Sequence, residues 1–218
     1  MTDTCTMHGW SCSIDCDHPP CKSRIAGIVG MAGMMIIIFG ILYAAIAYPG
    51  YNFSMWLSEL GNTANSPGSF TFNASLVIGG SIIAFFPALL CGVTKNKWLA
   101  AILVIAGLLS GFSLVLVGLN PMNVDSTAHF IWSGIAFASM AITSGIMTTI
   151  IFSDGGKNIP AGFGIIFIIV AFIASIFFLT FFIGMSISIT APTAQITEWA
   201  SVMLFAVGMV GISIYEMS

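Results

Sequence analysis

Residues 25–48 read IAGIVGMAGMMIIIFGILYAAIAY, and this stretch indicates the fold class because it contains no charged side chain. A helix that crosses the apolar core of a bilayer needs about 20 consecutive apolar residues. The stretch is long enough, and it ends at Pro49-Gly50, a dipeptide typical of turns. We therefore predict that it forms a membrane-spanning α-helix.

Further stretches of the same kind follow, separated by polar segments. They lack the alternating polarity of transmembrane β-strands, and helices satisfy their own backbone polar groups in lipid. The sequence therefore predicts an all-α bundle of six transmembrane helices over residues 25–215, preceded by a flexible cytoplasmic tail over residues 1–24. The predicted spans are Ile25–Tyr48, Phe70–Val93, Trp98–Val117, Phe130–Phe152, Ala161–Met185 and Trp199–Tyr215, the last starting as early as Ala194.

The composition excludes whole classes of function. Of the 218 residues, 58% are hydrophobic and only 6% are charged, whereas about a quarter of the residues of a soluble domain are charged. An ordinary soluble enzyme is excluded. The net charge of −3 offers no basic surface to nucleic acid. The expected partner is membrane lipid, with a second membrane protein left open as an alternative.

The basic residues determine the predicted orientation. With six spans, all of them fall on the same side of the membrane as the N-terminus. Because basic residues concentrate in cytoplasmic loops, we predict a multi-pass protein of the cell membrane with both termini in the cytoplasm. These residues are Lys22, Arg24, Lys95, Lys97 and Lys157.

Four polar residues on the predicted outer side are the candidates for chemistry: Glu59, Asp125, His129 and Glu198. Carboxylates and an imidazole can bind a divalent cation or perform acid–base catalysis. Alternatively, Asp125 and Glu198 cap helix starts, and His129 lies at the membrane interface. We predict that Glu59 and His129 approach one another, with Asp125 one helical turn before His129. We favour a structural role, in which hydrogen bonding at Glu59 and His129 holds the first loop in place, over catalysis. The reason is that no nucleophile or complete metal-ligand set is evident.

The first outer loop contains the segment Phe53–Leu60, in which large apolar residues share space with few charges. Such a composition is typical of a short helix that lies in the membrane interface. This placement would bring Glu59 to the depth of the lipid headgroups. The aromatic residues near the same boundary fit an interfacial belt without any ligand.

The N-terminal tail supplies candidate metal ligands, namely Cys5, Cys12, Cys16, His18 and Cys21. Thiolates and imidazole are the usual ligands of zinc, but the spacing here does not match the paired Cys-x2-Cys pattern of structural zinc sites. The alternative is a flexible tail with reduced cysteines, as expected in the cytoplasm. A metal ion on this tail is the one cofactor that the sequence suggests.

The stretch from Tyr48 to Gly61, YPGYNFSMWLSELG, resembles the first outer loop of a prokaryotic six-span membrane family called domain of unknown function 998. The resemblance includes the motif Ser58-Glu59-Leu60-Gly61 and continues at Gly118-Leu-Asn-Pro and at His129. A more distant similarity connects the acidic loop motif with the Frag1/DRAM/Sfk1 family, which is linked to lipid and glycolipid-anchor processes. The resemblance implies a six-span bundle and points to Glu59 and His129, but it implies no reaction.

Three functions are compatible with these features. The first is an accessory bundle that binds lipid or another membrane protein and has a polar site on its outer face. The second is a lipid-modifying enzyme that uses Glu59, Asp125, His129 and Glu198. The third is a small-solute transporter. Because the chain lacks phosphate-binding loops, zinc-protease motifs and nucleophile elbows, the sequence leaves open whether it is an enzyme.

Overall fold

The chain folds into helices connected by short loops. The computed structural model describes residues 19–90, 94, 96–153, 159–184 and 191–217, and this part of the chain contains no β-strand. Its elements are six α-helices and one 3₁₀-helix in the first long loop. Their bounds are α1 Pro19–Ala47, the 3₁₀-helix Leu57–Gly61, α2 Ser69–Leu89, α3 Lys97–Leu119, α4 Ser126–Ser153, α5 Ala161–Gly184 and α6 Ala191–Met217.

Most of these helices have the length and apolar character of membrane spans. Five such stretches occur among the described residues: Arg24–Ala47, Ser69–Leu89, Lys97–Leu119, Ser126–Ser153 and Ala194–Met217. In α5, the stretch found by the same criteria is the shorter Ala161–Ile176. The all-helical, multi-pass membrane character is therefore confirmed, whereas the sixth span and the orientation of the termini stay predictions.

The helices form a closed ring. Each α-helix packs against its neighbours in the chain, and α6 returns to pack against α1. Neighbours run antiparallel: Gly30 of α1 lies against Phe86 of α2, whereas Gly40, further along α1, lies against Ser75. Large apolar side chains such as Ile46 point outward and are exposed, as expected for surfaces that face lipid.

The ends of the helices differ from the predicted spans in a consistent way. Helix α1 begins at Pro19 instead of Ile25, and α4 begins at Ser126 instead of Phe130. Hydropathy identifies the part of a helix that fits the apolar core, but the helix itself continues into polar sequence until a cap ends it. Helix α2 ends at Leu89, before the predicted Val93, shortly after the internal Pro87.

The first long loop is folded into the bundle. The 3₁₀-helix packs against α1, α2 and α6, and Leu57 and Leu60 are 5% and 0% exposed. The predicted short helix is therefore present, as the 3₁₀-helix Leu57–Gly61. Its leucines are buried between helices, and its predicted position at the depth of the membrane interface stays a prediction.

Two loops meet at one end of the ring. The amide of Thr63 donates to Asn123 Oδ1 over 3.0 Å, and Asn123 Nδ2 donates to Thr63 Oγ1 over 2.9 Å. We call this end, formed by residues 48–68 and 120–125, the long-loop end. It is the end that the distribution of basic residues predicts to face outward.

Candidate functional site

A cavity of about 70 Å³ lies inside the ring and extends toward the long-loop end. Side chains from α1, α2, α3, α4, α6 and the 3₁₀-helix line it, and most of them are apolar. The polar residues on its wall are Ser58, His129, Ser133 and Glu198. Two of the four sequence candidates thus lie on the wall of one cavity.

Glu198 lies in the second turn of α6 and is 8% exposed. Its Oε2 accepts a hydrogen bond of 2.8 Å from the amide of Leu57, and the amide of Ser58 also interacts with the carboxylate. The first amides of a helix lack partners within that helix, and Trp56 at the N-cap position has no side-chain oxygen to offer. A carboxylate from α6 therefore caps the 3₁₀-helix.

The next residue of α6 holds the same loop. Trp199 Nε1 donates to the carbonyl of Met55 over 3.3 Å, and its ring lies 5.0 Å from that of Phe53, edge to face. Tyr51 donates to the carbonyl of Trp56 over 2.8 Å. Burial, followed by the nearby carboxylate of Glu198, raises the pKa of the Tyr51 phenol above its ordinary value. Two consecutive residues of α6 thus tie the first loop to the bundle.

His129 lies in the first turn of α4 and is 4% exposed. Its Nδ1 lies 2.9 Å from the carbonyl oxygen of Asn120, the residue that caps α3. A carbonyl oxygen can only accept, so Nδ1 carries a proton, and in the neutral ring Nε2 carries the acceptor lone pair. The histidine therefore joins the end of α3 to the start of α4 while it lines the cavity.

Asp125 has the capping role that the sequence offered as its alternative. It directly precedes α4, its Oδ1 accepts from the amide of Ala128 over 2.9 Å, and its side chain is exposed. Its carbonyl accepts the amide of His129 over 3.0 Å. Asp125 thus starts the helix that presents His129, but it does not line the cavity.

Glu59 lies in the 3₁₀-helix beside the cavity-lining Ser58. Its Oε2 accepts from Asn62 Nδ2 over 3.2 Å, and the side chain is half-buried. Glu59 is close enough to Glu198 for their charges to interact. The predicted approach of Glu59 to His129 stays a prediction. On the cavity wall, the structure instead brings together His129 and Glu198.

Sequence reasoning missed three residues of this site: Ser58, Ser133 and Asn120. Ser133 lies one helical turn after His129 on α4, so the four-residue spacing could have indicated it. Ser58 and Asn120 belong to the two loop motifs that carried the family resemblance. Their part in the site depends on contacts between distant segments, which those motifs do not specify.

The predicted metal ligands of the tail lie almost entirely outside the described residues. This holds for Cys5, Cys12, Cys16 and His18, and of Cys21 only the backbone is described, near the start of α1. Among the side chains that the structure does describe, no three His, Cys, Asp or Glu residues come together in a group that could hold a metal ion.

Comparison with known protein families gives a match that covers most of the chain. Residues 31–214 match a family described as protein of unknown function (DUF998). The chain belongs to this family. The matched range includes the 3₁₀-helix, His129 and Glu198, and thus the whole wall of the cavity. No curated protein and no solved structure matches the chain.

Proposed function

We propose that the protein binds an amphipathic, lipid-like molecule. The apolar chain of that molecule lies in the cavity that His129 and Glu198 line, which we call the long-loop cavity, and its polar head lies at Glu198. The observation that carries this proposal is a cavity inside a ring of membrane helices, with mainly apolar walls and one buried carboxylate. Ligand sites are typically apolar with a few placed polar groups.

The position of the cavity indicates which kind of molecule occupies it. The surrounding helices expose apolar side chains outward, so the molecules in contact with the bundle are the lipids of the bilayer. Phe72, Leu76, Phe137 and Val202 are among the apolar lining residues. A volume of about 70 Å³ accommodates the end of an acyl chain, and the rest of the molecule would extend from the bundle.

The kind of head group is inferred from the hydrogen-bond acceptor sites of the Glu198 carboxylate that the protein does not occupy. A carboxylate offers about four lone-pair sites, and the amides of Leu57 and Ser58 take two of them. A buried charge is stable only when it is paired or fully hydrogen-bonded. Among the residues that the structure describes, no lysine or arginine lines the cavity. These features favour a head that donates hydrogen bonds, and most of all a cationic ammonium group.

Photo-crosslinking tests the proposal. The purified protein is reconstituted into vesicles that contain phosphatidylethanolamine with a photoactivatable group near the end of one acyl chain. We expect crosslinks on residues 129–140 and 198–205, which include much of the cavity wall. In the variant Ala136→Leu, the new side chain fills the cavity, and labelling of these segments should decrease several-fold.

The matched control is Ala101→Leu, the same substitution at an exposed position of α3, which should leave the labelling unchanged. A phosphatidylglycerol probe with the same chain should label the cavity less, because its head carries no cation. Labelling confined to outward-facing residues, and equal in the two leucine variants, would contradict the proposal.

A second candidate is a lipid-modifying enzyme, which one observation favours. The Asn120 carbonyl holds His129 with its proton on Nδ1, so Nε2 can act as a general base toward a molecule in the cavity. The variant His129→Asn retains a donor for Asn120 but lacks Nε2. If the wild type converts the probe lipid into a new product and this variant only binds it, the enzyme is supported. The absence of product with the wild type contradicts it.

A further inference from the structure

The polar residues of the long-loop cavity lie at one end of it. Along α4, His129 and Ser133 come first among the lining residues, and apolar side chains follow as far as Met140. Along α6, which also starts at the long-loop end, Glu198 comes first and apolar side chains follow as far as Phe205. The cavity is thus polar next to the long loops and apolar further into the ring. A lipid in it has its head near the loops and its chain pointing inward.

One polar atom at this end can only accept a hydrogen bond. His129 Nδ1 donates to the carbonyl oxygen of Asn120 over 2.9 Å, so Nε2 carries the lone pair of the neutral ring. No carboxylate among the described residues acts on this ring, and a buried imidazole without such a partner is stable in its neutral form. Within the described part of the chain, no group donates a hydrogen bond to Nε2.

The hydroxyl group of Ser133, one helical turn further along α4, also has no hydrogen-bond partner among the residues that the structure describes. Other hydroxyl groups of this helix donate to their own backbone. Ser139 donates to the carbonyl of Ile135 over 2.8 Å, and Thr148 donates to that of Ser144 over 2.8 Å. The Ser133 hydroxyl is therefore available to a bound molecule.

Both free atoms can be reached from the cavity. Some hydroxyl groups in the bundle lack a partner and are also sealed off from accessible space, for example those of Ser110 and Ser144. His129 Nε2 and Ser133 Oγ differ from these, because neither belongs to the buried atoms without a partner. Both atoms therefore retain accessible surface, and both residues line the long-loop cavity.

We propose that His129 and Ser133 make the cavity selective for lipids that carry a free hydroxyl group between the head and the chain. This inference rests on the proposed function. The hydroxyl group donates to His129 Nε2 and accepts from Ser133 Oγ, and the four-residue spacing places both side chains on one face of α4. A lipid with an ester at that position cannot donate to Nε2, which then stays desolvated without a partner. Lysophospholipids, which have lost one acyl chain, carry such a hydroxyl group.

A matched pair of competitors tests the selectivity on the wild-type protein. The photoactivatable phosphatidylethanolamine labels the protein in vesicles and is displaced either by lysophosphatidylethanolamine or by its analogue with hydrogen in place of the hydroxyl group. Lysophosphatidylethanolamine should halve the labelling of residues 129–140 at an about tenfold lower concentration, because only the analogue leaves Nε2 unpaired. Equal concentrations of the two competitors overturn the proposal.

Three variants assign the selectivity to its residues. His129→Asn should abolish the difference between the competitors, because asparagine retains a donor for the Asn120 carbonyl but has no Nε2. Ser133→Ala should reduce the difference. Ser139→Ala is the matched control and should leave it unchanged, because this buried hydroxyl donates to Ile135 and does not line the cavity. A difference that persists in His129→Asn contradicts the assignment.

The failure of this inference can be distinguished from the failure of the proposed function. If Ala136→Leu decreases the labelling but the two competitors act equally, the lipid site stands and the selectivity for a hydroxyl group is wrong. If Ala136→Leu leaves the labelling unchanged, the lipid site and its selectivity are both wrong.

Discussion

At the scale of single residues, the position of Glu198 is the main result. The sequence offered four outer polar residues and favoured Glu59 and His129 among them, but it is Glu198 that accepts a hydrogen bond from the backbone of a distant segment, at Leu57. A carboxylate buried at a helix start stabilises the amides it caps. Glu198 therefore has a structural role in holding the first loop, and it lies on the cavity wall as well.

We predict that removal of the Glu198 carboxylate destabilises the protein in a graded way. Glu198→Ala leaves the amides of Leu57 and Ser58 buried without this acceptor, at a cost of about 1–3 kcal/mol for each unsatisfied group. Glu198→Gln retains one oxygen that can accept from Leu57, so its loss should be smaller. Thermal unfolding followed by tryptophan fluorescence measures both, because Trp199 is the next residue.

The control for this prediction is Glu59→Gln. Glu59 is half-buried, and among the described residues its carboxylate accepts a side-chain hydrogen bond from Asn62 at 3.2 Å, so the change in unfolding free energy should stay within about 0.5 kcal/mol. If Glu198→Ala unfolds at the same temperature as Glu59→Gln, Glu198 does not act as the cap.

At the scale of elements, the helices meet through small residues that allow backbones to come close. A Cβ atom on Gly111 of α3 would lie 2.5 Å from the backbone nitrogen of Ala84 on α2 and 2.6 Å from its Cα. Backbone atoms cannot move away as the end of a flexible side chain can. The spacing between α2 and α3 therefore depends on this glycine, as is typical of membrane helix pairs.

We predict that Gly111→Ala is destabilising, whereas Gly145→Ala is not. The added methyl group at position 111 would force α2 and α3 apart, at a typical cost of about 1–3 kcal/mol for overpacking. At position 145 no atom of another described segment lies within 4 Å of the added Cβ, and alanine favours helix over glycine by about 1 kcal/mol. Unfolding midpoints of the two variants check this, and equal midpoints would contradict it.

At the scale of the whole molecule, the closure of the ring creates the cavity. Contact between α6 and α1 brings the start of α6 to the first loop, and the cavity then lies between five of the helices and the 3₁₀-helix. The antiparallel order of the helices places the hydrogen-bonded loops around Thr63 and Asn123 at one end. This arrangement makes the topology testable from that end.

We predict that the long-loop end faces away from the cytoplasm. In a variant without the native cysteines, a single cysteine is introduced at Ala64 in the long-loop end, or at Ser153 at the opposite end of α4. Both positions are exposed. A membrane-impermeant maleimide should label residue 64 in intact cells and residue 153 only after the membrane is permeabilised. The reverse pattern would contradict the orientation and the assignment of an outer site.

The sequence by itself determined the membrane class and, to within several residues, most of the helices, because lipid requires long apolar stretches without charge. It also identified Asp125 as a potential helix cap, because that role depends on residues three and four positions away. The capped start of α4 at Ser126 was missed by hydropathy, since polar helix ends lie outside the apolar core.

Only the tertiary structure decided which outer residues share a site. Glu198 caps a helix that lies 141 positions earlier in the chain, and no local pattern encodes such a contact. Whether a carboxylate meets another loop or the solvent depends on which helices close the ring, and therefore on the packing of α6 against α1. For this reason both His129 and Glu198 could be named from the sequence, but their common cavity could not.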